Sequence, residues 1–90
     1  MYRIKFSPQA EEDVKRLNRQ APSNIKKLTK LIKELQEHPR KGTGQVERLK
    51  HYEEETWSRR LSGEHRLIYR IYDEIVEVLV LSTFGHYNDK

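Results

Sequence analysis

Residues 57–84 read WSRRLSGEHRLIYRIYDEIVEVLVLSTF, and the pattern of this stretch decides the predicted fold. Three runs in it are rich in β-branched and aromatic side chains: residues 57–61, 66–72 and 75–84. Ser62-Gly63-Glu64 and Asp73-Glu74 separate these runs, and residues of these types favour turns. Because strands joined by such short turns pair antiparallel, the sequence predicts a β-meander.

The segment upstream predicts one strand followed by two helices. Side chains in residues 2–6 alternate between apolar and basic, which is the period of a half-buried strand. Ser7-Pro8 indicates a helix start, since Ser caps free backbone N–H groups and Pro suits the first helical position. Two apolar stripes at helical spacing then flank Pro22-Ser23: Ala10, Val14, Leu17 and Ala21, then Ile25, Leu28, Leu31, Ile32 and Leu35. So short a break predicts an antiparallel helical hairpin, ending at His38-Pro39.

Strand, hairpin and meander together predict an α+β domain with the helices packed on one face of the sheet. The middle strand, residues 66–72, should turn Leu67, Tyr69 and Ile71 toward one face and Arg66, Ile68, Arg70 and Tyr72 toward the other. Residues 40–45 predict a flexible basic loop, and residues 46–51 could add a strand. The sequence has no repeat or linker, so a single domain is expected over residues 1–90.

Composition excludes several classes of protein. The chain has no cysteine, which rules out disulfides and thiolate metal sites. It has neither an apolar run of the roughly 20 residues that span a bilayer nor a secretory leader, so a cytoplasmic protein without a membrane partner is expected. Residues 1–45 hold 11 Lys/Arg and 5 Asp/Glu, whereas residues 46–90 hold 7 and 9. Excess positive charge favours polyanion partners, although from charge alone a solvated lysine-rich helix face is the preferred explanation.

The residue types leave few candidate chemistries. There is no Gly-rich phosphate loop, nucleophile elbow or histidine pair at metal-ligand spacing, so no metal or cofactor is predicted. RNA cleavage without metal needs a base for the 2′-hydroxyl, cations for the phosphorane charge and an acid for the 5′-oxygen. Glu47, Arg66 and His86 could fill those roles. From the residues alone, surface salt bridges for the first two and a disordered tail for the third stay open.

Several short stretches together carry a specific resemblance: Gly42-Thr43-Gly44, Glu47-Arg48-Leu49-Lys50-His51, Trp57-Ser58-Arg59-Arg60, Glu64-His65-Arg66-Leu67-Ile68-Tyr69 and His86-Tyr87. In this order and spacing they resemble the YoeB family of the RelE-like toxin superfamily, over about the C-terminal half of the chain. The predicted strand and helical hairpin upstream agree with that family.

The resemblance implies a microbial-RNase-like fold and a toxin of a type II toxin–antitoxin system. It implies ribosome-dependent mRNA cleavage in the decoding site. A YefM-like antitoxin would fold its C-terminal segment over the active face, and operator DNA would be contacted only through the toxin–antitoxin complex. A homodimer is a further assembly that the resemblance allows.

Residue by residue, the resemblance assigns roles to six positions. Glu47 is similar to the family's general base, Arg66 to its transition-state arginine and His86 to its general acid. The positions expected near substrate are Lys50, Arg59 and Tyr87. Of the remaining residues of the signature, Trp57 is expected in the core. His51, Arg60 and His65 are expected to support the site or to lie at the surface.

This sequence departs from the family pattern near its C-terminal end. Gly85 stands where members carry an aromatic residue, which suggests added backbone freedom before His86, and residues 88–90 extend the chain. Two other functions remain alternatives: a translation inhibitor that binds RNA or the ribosome without cutting, and a ParE-like toxin directed at gyrase.

Overall fold

The computed structural model describes residues 1–85. In chain order its elements are β1 (Arg3–Phe6), α1 (Pro8–Gln20), α2 (Ser23–Glu37), β2 (Glu47–Leu49), β3 (Thr56–Arg60), β4 (Arg66–Tyr72), a 3₁₀ turn (Asp73–Ile75) and β5 (Glu77–Ser82). The two helices pack on a five-stranded mixed sheet, so the predicted α+β class is confirmed.

The sheet has the strand order β1-β5-β4-β3-β2. Strands β2 to β5 pair antiparallel in succession, which confirms the predicted meander and the additional strand before it. The pairing of β1 with β5 is parallel, with Ile4 opposite Val78. The sequence did not predict this pairing, because it joins strands from opposite ends of the chain.

Both helices form where the apolar stripes predict them. Ser7 caps α1 through its hydroxyl, which accepts a 3.0 Å hydrogen bond from the Ala10 backbone N–H, and Pro8 is the first helical residue. Leu17 of α1 and Leu31 and Leu35 of α2 are fully buried. Each such leucine contributes roughly 1.5–3 kcal/mol to folding by leaving water.

Two predictions about the chain between the main elements are wrong. The last strand begins at Glu77 rather than at Ile75, because Val76 has a left-handed backbone (φ 52°) that interrupts an extended run. The loop at residues 40–45 is not free: the Glu34 carboxylate accepts hydrogen bonds from the Thr43 backbone N–H (2.8 Å) and hydroxyl (2.7 Å). This loop is therefore anchored to α2.

The sheet has two different faces. Trp57, Leu67 and Tyr69 lie on the face that the helices cover, and Trp57 packs against the core there, as expected. The opposite face, called the open face below, carries Glu47, Ser58 and Arg66. An apolar groove of about 760 Å³ lies between the two helices, on the side away from the open face.

Candidate active site

Glu47 and Arg66 share the open face, on either side of Ser58. The strand register places Glu47 directly opposite Ser58. From the other side, Arg66 Nη1 donates a hydrogen bond of 3.2 Å to the Ser58 hydroxyl. Within residues 1–85 the Glu47 carboxylate is exposed and makes no hydrogen bond or ion pair. The structure thus brings together an accessible carboxylate and a half-buried guanidinium.

A second arginine stands beside Arg66. Arg60 is exposed and lies directly opposite Arg66 in the β3–β4 register, so their side chains share the open face. Like charges opposite each other on neighbouring strands destabilise a sheet unless an anion compensates them. The pair is therefore suited to an anionic ligand such as a phosphate.

Of three further residues of the predicted site, Lys50, His86 and Tyr87, the structure describes only Lys50. Lys50 is exposed in the turn that follows β2, at the edge of the sheet. His86 and Tyr87 lie outside the described residues, so their assigned roles stay predictions.

Arg59 requires a correction, because its side chain is fully buried and cannot meet a substrate directly. Its guanidinium lies on the helix-covered face and uses all five N–H donors inside the fold. The acceptors are the Tyr69 hydroxyl, the Glu34 carboxylate and the backbone carbonyls of His38, Lys41 and Thr43. Arg59 therefore holds the loop after α2 in place, upstream of β2 and Glu47.

The groups around Arg59 show how tightly this network is built. The hydrogen bond from the Thr43 backbone N–H, with further help from Arg59, keeps the pKa of Glu34 below its ordinary value. Burial raises the pKa of the Tyr69 hydroxyl, which donates a 2.7 Å hydrogen bond to the Pro39 carbonyl. Both effects keep the network in one protonation state near neutral pH.

A second charged network ties down the segment before β3. Arg40 donates to Glu55 (2.7 Å) and to Asp73 (2.7 Å), and Asp73 also accepts a 2.6 Å hydrogen bond from the Tyr2 hydroxyl. The Arg40 contact lowers the pKa of Glu55, and the Tyr2 contact lowers the pKa of Asp73. Glu55 also accepts a 2.8 Å hydrogen bond from the Trp57 indole N–H, so its carboxylate is held by two side chains.

Sequence reasoning missed the buried groups that hold the end of the described chain. His65 is 6% exposed, and its Nδ1 accepts a 2.8 Å hydrogen bond from the Gly85 backbone N–H. Asp13, 4% exposed, accepts one of 3.1 Å from the Thr83 backbone N–H. Asp13 lies within the polar residues of α1 and no local pattern marks it. His65 belongs to the Glu64-His65-Arg66 signature, which was the available signal.

The described part of the chain lacks two kinds of feature. Residues 1–85 contain no group of three or more His, Cys, Asp or Glu side chains arranged to hold a metal ion. Among the same residues, neither helix has the length and apolar character that crossing a membrane requires.

Comparisons with known proteins agree with this architecture. A sequence model described as "YoeB-like toxin of bacterial type II toxin-antitoxin system" matches residues 6–87. Toxin YoeB of Escherichia coli K12 is 40% identical over 63 residues, which are 70% of this chain and 73% of that protein. The YoeB dimer of Staphylococcus aureus superposes with a TM-score of 0.82 at 33% identity, covering 96% of this chain and 98% of the other.

A chain of the heterotetrameric YoeB-YefM toxin–antitoxin complex of Staphylococcus aureus superposes with a TM-score of 0.80 at 34% identity. It covers 97% of this chain and 99% of that one. Together with the sequence matches, two helices on a mixed five-stranded sheet place the chain in the RelE-like class of toxins. Within that class, the chain belongs to the YoeB-like toxins of bacterial type II toxin–antitoxin systems.

Proposed function

We propose that this toxin is a ribosome-dependent endoribonuclease that cuts mRNA without a metal ion. The observation that carries the proposal is the placement of an exposed carboxylate, Glu47, and a guanidinium, Arg66, on either side of Ser58 on the open face. A base and a cation on one accessible surface are two of the three groups that attack by a 2′-hydroxyl requires.

In the proposed reaction, Glu47 takes the proton of a ribose 2′-hydroxyl. The resulting alkoxide attacks the adjacent phosphorus, and Arg66 stabilises the negative charge of the phosphorane, with Arg60 beside it. The bond from phosphorus to the 5′-oxygen then breaks, and His86 gives that oxygen a proton. The products are a 2′,3′-cyclic phosphate and a 5′-hydroxyl end, so protons and electron pairs balance without an external reactant.

The shape of the open face supports a role for the ribosome. Glu47 is exposed at one edge of the sheet, and two grooves among residues 1–85 lie along α1 and α2. An exposed surface with a few cations holds a flexible RNA strand poorly, because fixing the strand costs conformational entropy. An mRNA already fixed in the decoding site removes that cost. Lys50, exposed beside the face, and Tyr87 are the proposed substrate contacts.

We also propose that a YefM-like antitoxin inhibits this toxin by covering the open face. Support comes from the YoeB-YefM complex of Staphylococcus aureus, whose toxin chain superposes on this one. The YoeB dimer of Staphylococcus aureus makes a homodimer a second assembly to test. Operator DNA would be bound only through the antitoxin complex. As the target is the ribosome, the proposed location is the cytoplasm, and residues 1–90 act as one toxin domain.

The test is single-turnover cleavage of an mRNA on programmed ribosomes, with 5′ ends mapped at nucleotide resolution. Wild type should give discrete codon-phased cuts that persist in chelator once ribosome integrity is controlled. Glu47→Gln should slow cleavage by roughly 10²-fold or more, as expected for loss of a general base. The matched control is Glu53→Gln, at an exposed glutamate without a contact among residues 1–85.

Other outcomes would select the alternative functions. Intact messages together with blocked translation would indicate a toxin that binds without cutting. Normal translation with gyrase-dependent DNA damage would indicate a gyrase-directed toxin. Activity abolished by chelator and restored by zinc or manganese would contradict the metal-independent reaction.

A further inference from the structure

The described chain ends on a backbone position that is held from both sides. The Gly85 N–H donates to His65 Nδ1 at 2.8 Å, and the Gly85 carbonyl accepts from the Arg66 N–H at 3.0 Å. Gly85 directly precedes His86, the proposed acid. His65, in the turn before β4, and Arg66, the first residue of β4, therefore fix the backbone of the residue that precedes His86.

We propose that His65 is a positioning residue for cleavage: its neutral imidazole holds Gly85 so that His86 meets the leaving oxygen. The inference rests on the proposed ribonuclease function. His65 is almost fully buried and takes no direct part in the chemistry. Its effect reaches the reaction through one hydrogen bond to the backbone of the neighbouring residue.

The imidazole is itself firmly placed. The backbone carbonyl of His65 accepts hydrogen bonds from the N–H groups of Leu61 and Ser62, each at 3.0 Å. The Ser62 hydroxyl accepts a hydrogen bond of 3.1 Å from the His65 N–H. The centroids of the His65 and Phe84 rings are 4.3 Å apart. A group fixed through its backbone and its ring can hold another segment in place at little further entropic cost.

The contact also requires one form of the His65 ring. Nδ1 can accept a hydrogen bond only when it carries no proton, so the contact is made by the tautomer with its proton on Nε2. The Glu64 carboxylate lies 3.9 Å from Nε2. A proton added to Nδ1 would put two donors, the imidazolium and the Gly85 N–H, against each other.

Neighbouring contacts hold the residues leading to Gly85. Asp13 binds the Thr83 N–H, and the Arg16 guanidinium carbon lies 4.3 Å from the centre of the Phe84 ring. Thr83, Phe84 and Gly85 are thus fixed one after another by α1 and the β3–β4 turn. His65 supplies the last side-chain contact in this series.

Gly85 is adapted to this arrangement rather than adding the freedom expected from the sequence. Its φ of +84° lies in the region that favours glycine, and a Cβ added there would meet nothing within 4 Å. The glycine is therefore needed for its backbone conformation and not for space. That conformation aims the N–H at His65 and the carbonyl at Arg66.

Two substitutions of His65 distinguish the effect of its hydrogen-bond acceptor from the effect of its aromatic ring. His65→Phe keeps an aromatic ring against Phe84 but removes the acceptor. His65→Asn loses the ring, yet its amide oxygen can take the place of Nδ1. We expect His65→Phe to lower kcat by roughly 10- to 100-fold, as for a displaced catalytic group, with KM changed less than about twofold. His65→Asn should recover most of the rate.

The matched control is His38→Phe, the same substitution at an exposed histidine whose backbone carbonyl, not its side chain, contacts Arg59. It should leave kcat unchanged. Thermal unfolding of all three variants excludes loss of the fold as the cause. If His65→Phe does not fold, the rate of His65→Asn and the ¹⁵N signals of wild-type His65 described below still test the proposal: an Asn variant that has lost most of the rate, or a protonated Nδ1, would overturn it.

Nuclear magnetic resonance tests the contact independently of activity. In wild type the ¹⁵N signals of His65 should show an unprotonated Nδ1, and the Gly85 amide should exchange at least about tenfold faster in His65→Phe than in wild type, because it loses its partner. A protonated Nδ1 or an unchanged Gly85 amide would overturn the contact. Normal kcat in His65→Phe, or an Asn variant as slow as Phe, would overturn the positioning role. A wild-type chain that cuts no message contradicts the proposed function itself, whatever the spectra show.

Discussion

The two faces of the β3–β4 hairpin use arginine in opposite ways. On the helix-covered face, Arg59 is fully buried and donates all five of its N–H groups to acceptors of the fold. On the open face, Arg66 is half-buried and its side chain donates to Ser58. Leu67, the residue after Arg66, is the register partner of Arg59, so the two environments are separated only by the thickness of the sheet.

The difference shows how a structural arginine can be told from a functional one. A buried guanidinium with every donor satisfied has nothing left for a ligand, and removing it leaves polar groups without partners. A guanidinium with unused donors on an accessible face costs little to remove but can bind an anion. Substitutions on the two faces should therefore affect different quantities.

The largest expected effect is on stability, at Arg59. Arg59→Ala should lower the free energy of unfolding by about 3–5 kcal/mol, because it leaves Glu34 and three carbonyls without their buried partner. Urea denaturation measures the loss. Arg60→Ala, at the exposed neighbour, is the control and should change stability by less than about 0.5 kcal/mol. Equal effects at Arg59 and Arg60 would remove the distinction between the faces.

The second-largest effect is expected on the rate of RNA cleavage, when Arg66 is substituted. Arg66→Ala should slow single-turnover cleavage by about 10²–10³-fold, since a donor that stabilises the transition state is lost. Unfolding free energy should fall by no more than about 1.5 kcal/mol, because the one hydrogen bond that is lost comes from a half-buried guanidinium that still reaches water. Arg66→Lys should restore little activity, as an ammonium lacks the planar two-pronged donation to phosphate oxygens. Near-normal toxicity of Arg66→Ala would exclude it from the mechanism.

A smaller effect should appear in acid. The pKa of Glu34 and of Glu55 lies below the ordinary value of 4.5 in the folded state. Groups with a depressed folded-state pKa stabilise the fold fully above the unfolded value, so stability should fall as pH drops below about 4.5. Glu34→Gln should cost about 1–3 kcal/mol at neutral pH and weaken this acid dependence.

Chemical denaturation at a series of pH values measures the dependence. Glu37→Gln, at an exposed glutamate of the same helix, is the matched control and should reproduce the wild-type pH profile. An identical acid profile for Glu34→Gln and wild type would show that the network around Arg59 does not depend on the charge of Glu34.

The smallest effect is expected at Ser58, which lies between the two proposed catalytic residues on the open face. Ser58→Ala removes the hydroxyl that accepts from Arg66 and should slow cleavage by about 2- to 12-fold, the equivalent of one hydrogen bond. If Ser58 acts by orienting Arg66, the substitution should have no further effect in the Arg66→Ala background. A double-mutant cycle measures this coupling, and additive effects would contradict the orienting role.

Local patterns predicted most of the secondary structure and the face of the sheet to which each residue of β4 turns. The Ser7 cap, the stripes of both helices and the alternation in β4 depend on residues within a few positions of each other, so they are visible in the sequence. The same alternation correctly put Arg66 on the face opposite Leu67 and Tyr69. It could not show that Arg59 would be buried, because its partner Glu34 lies 25 residues away.

The sequence by itself determined the α+β class, the order of the elements and the family, because periodicity, turn residues and a spaced signature are properties of neighbouring residues. Only the tertiary structure decided which charged side chains are buried and which are accessible. It paired β1 with β5, enclosed Arg59 and set His65 against Gly85. The reason is physical: desolvation and hydrogen bonding depend on what surrounds a group in space, and those surroundings come from segments far apart in the chain.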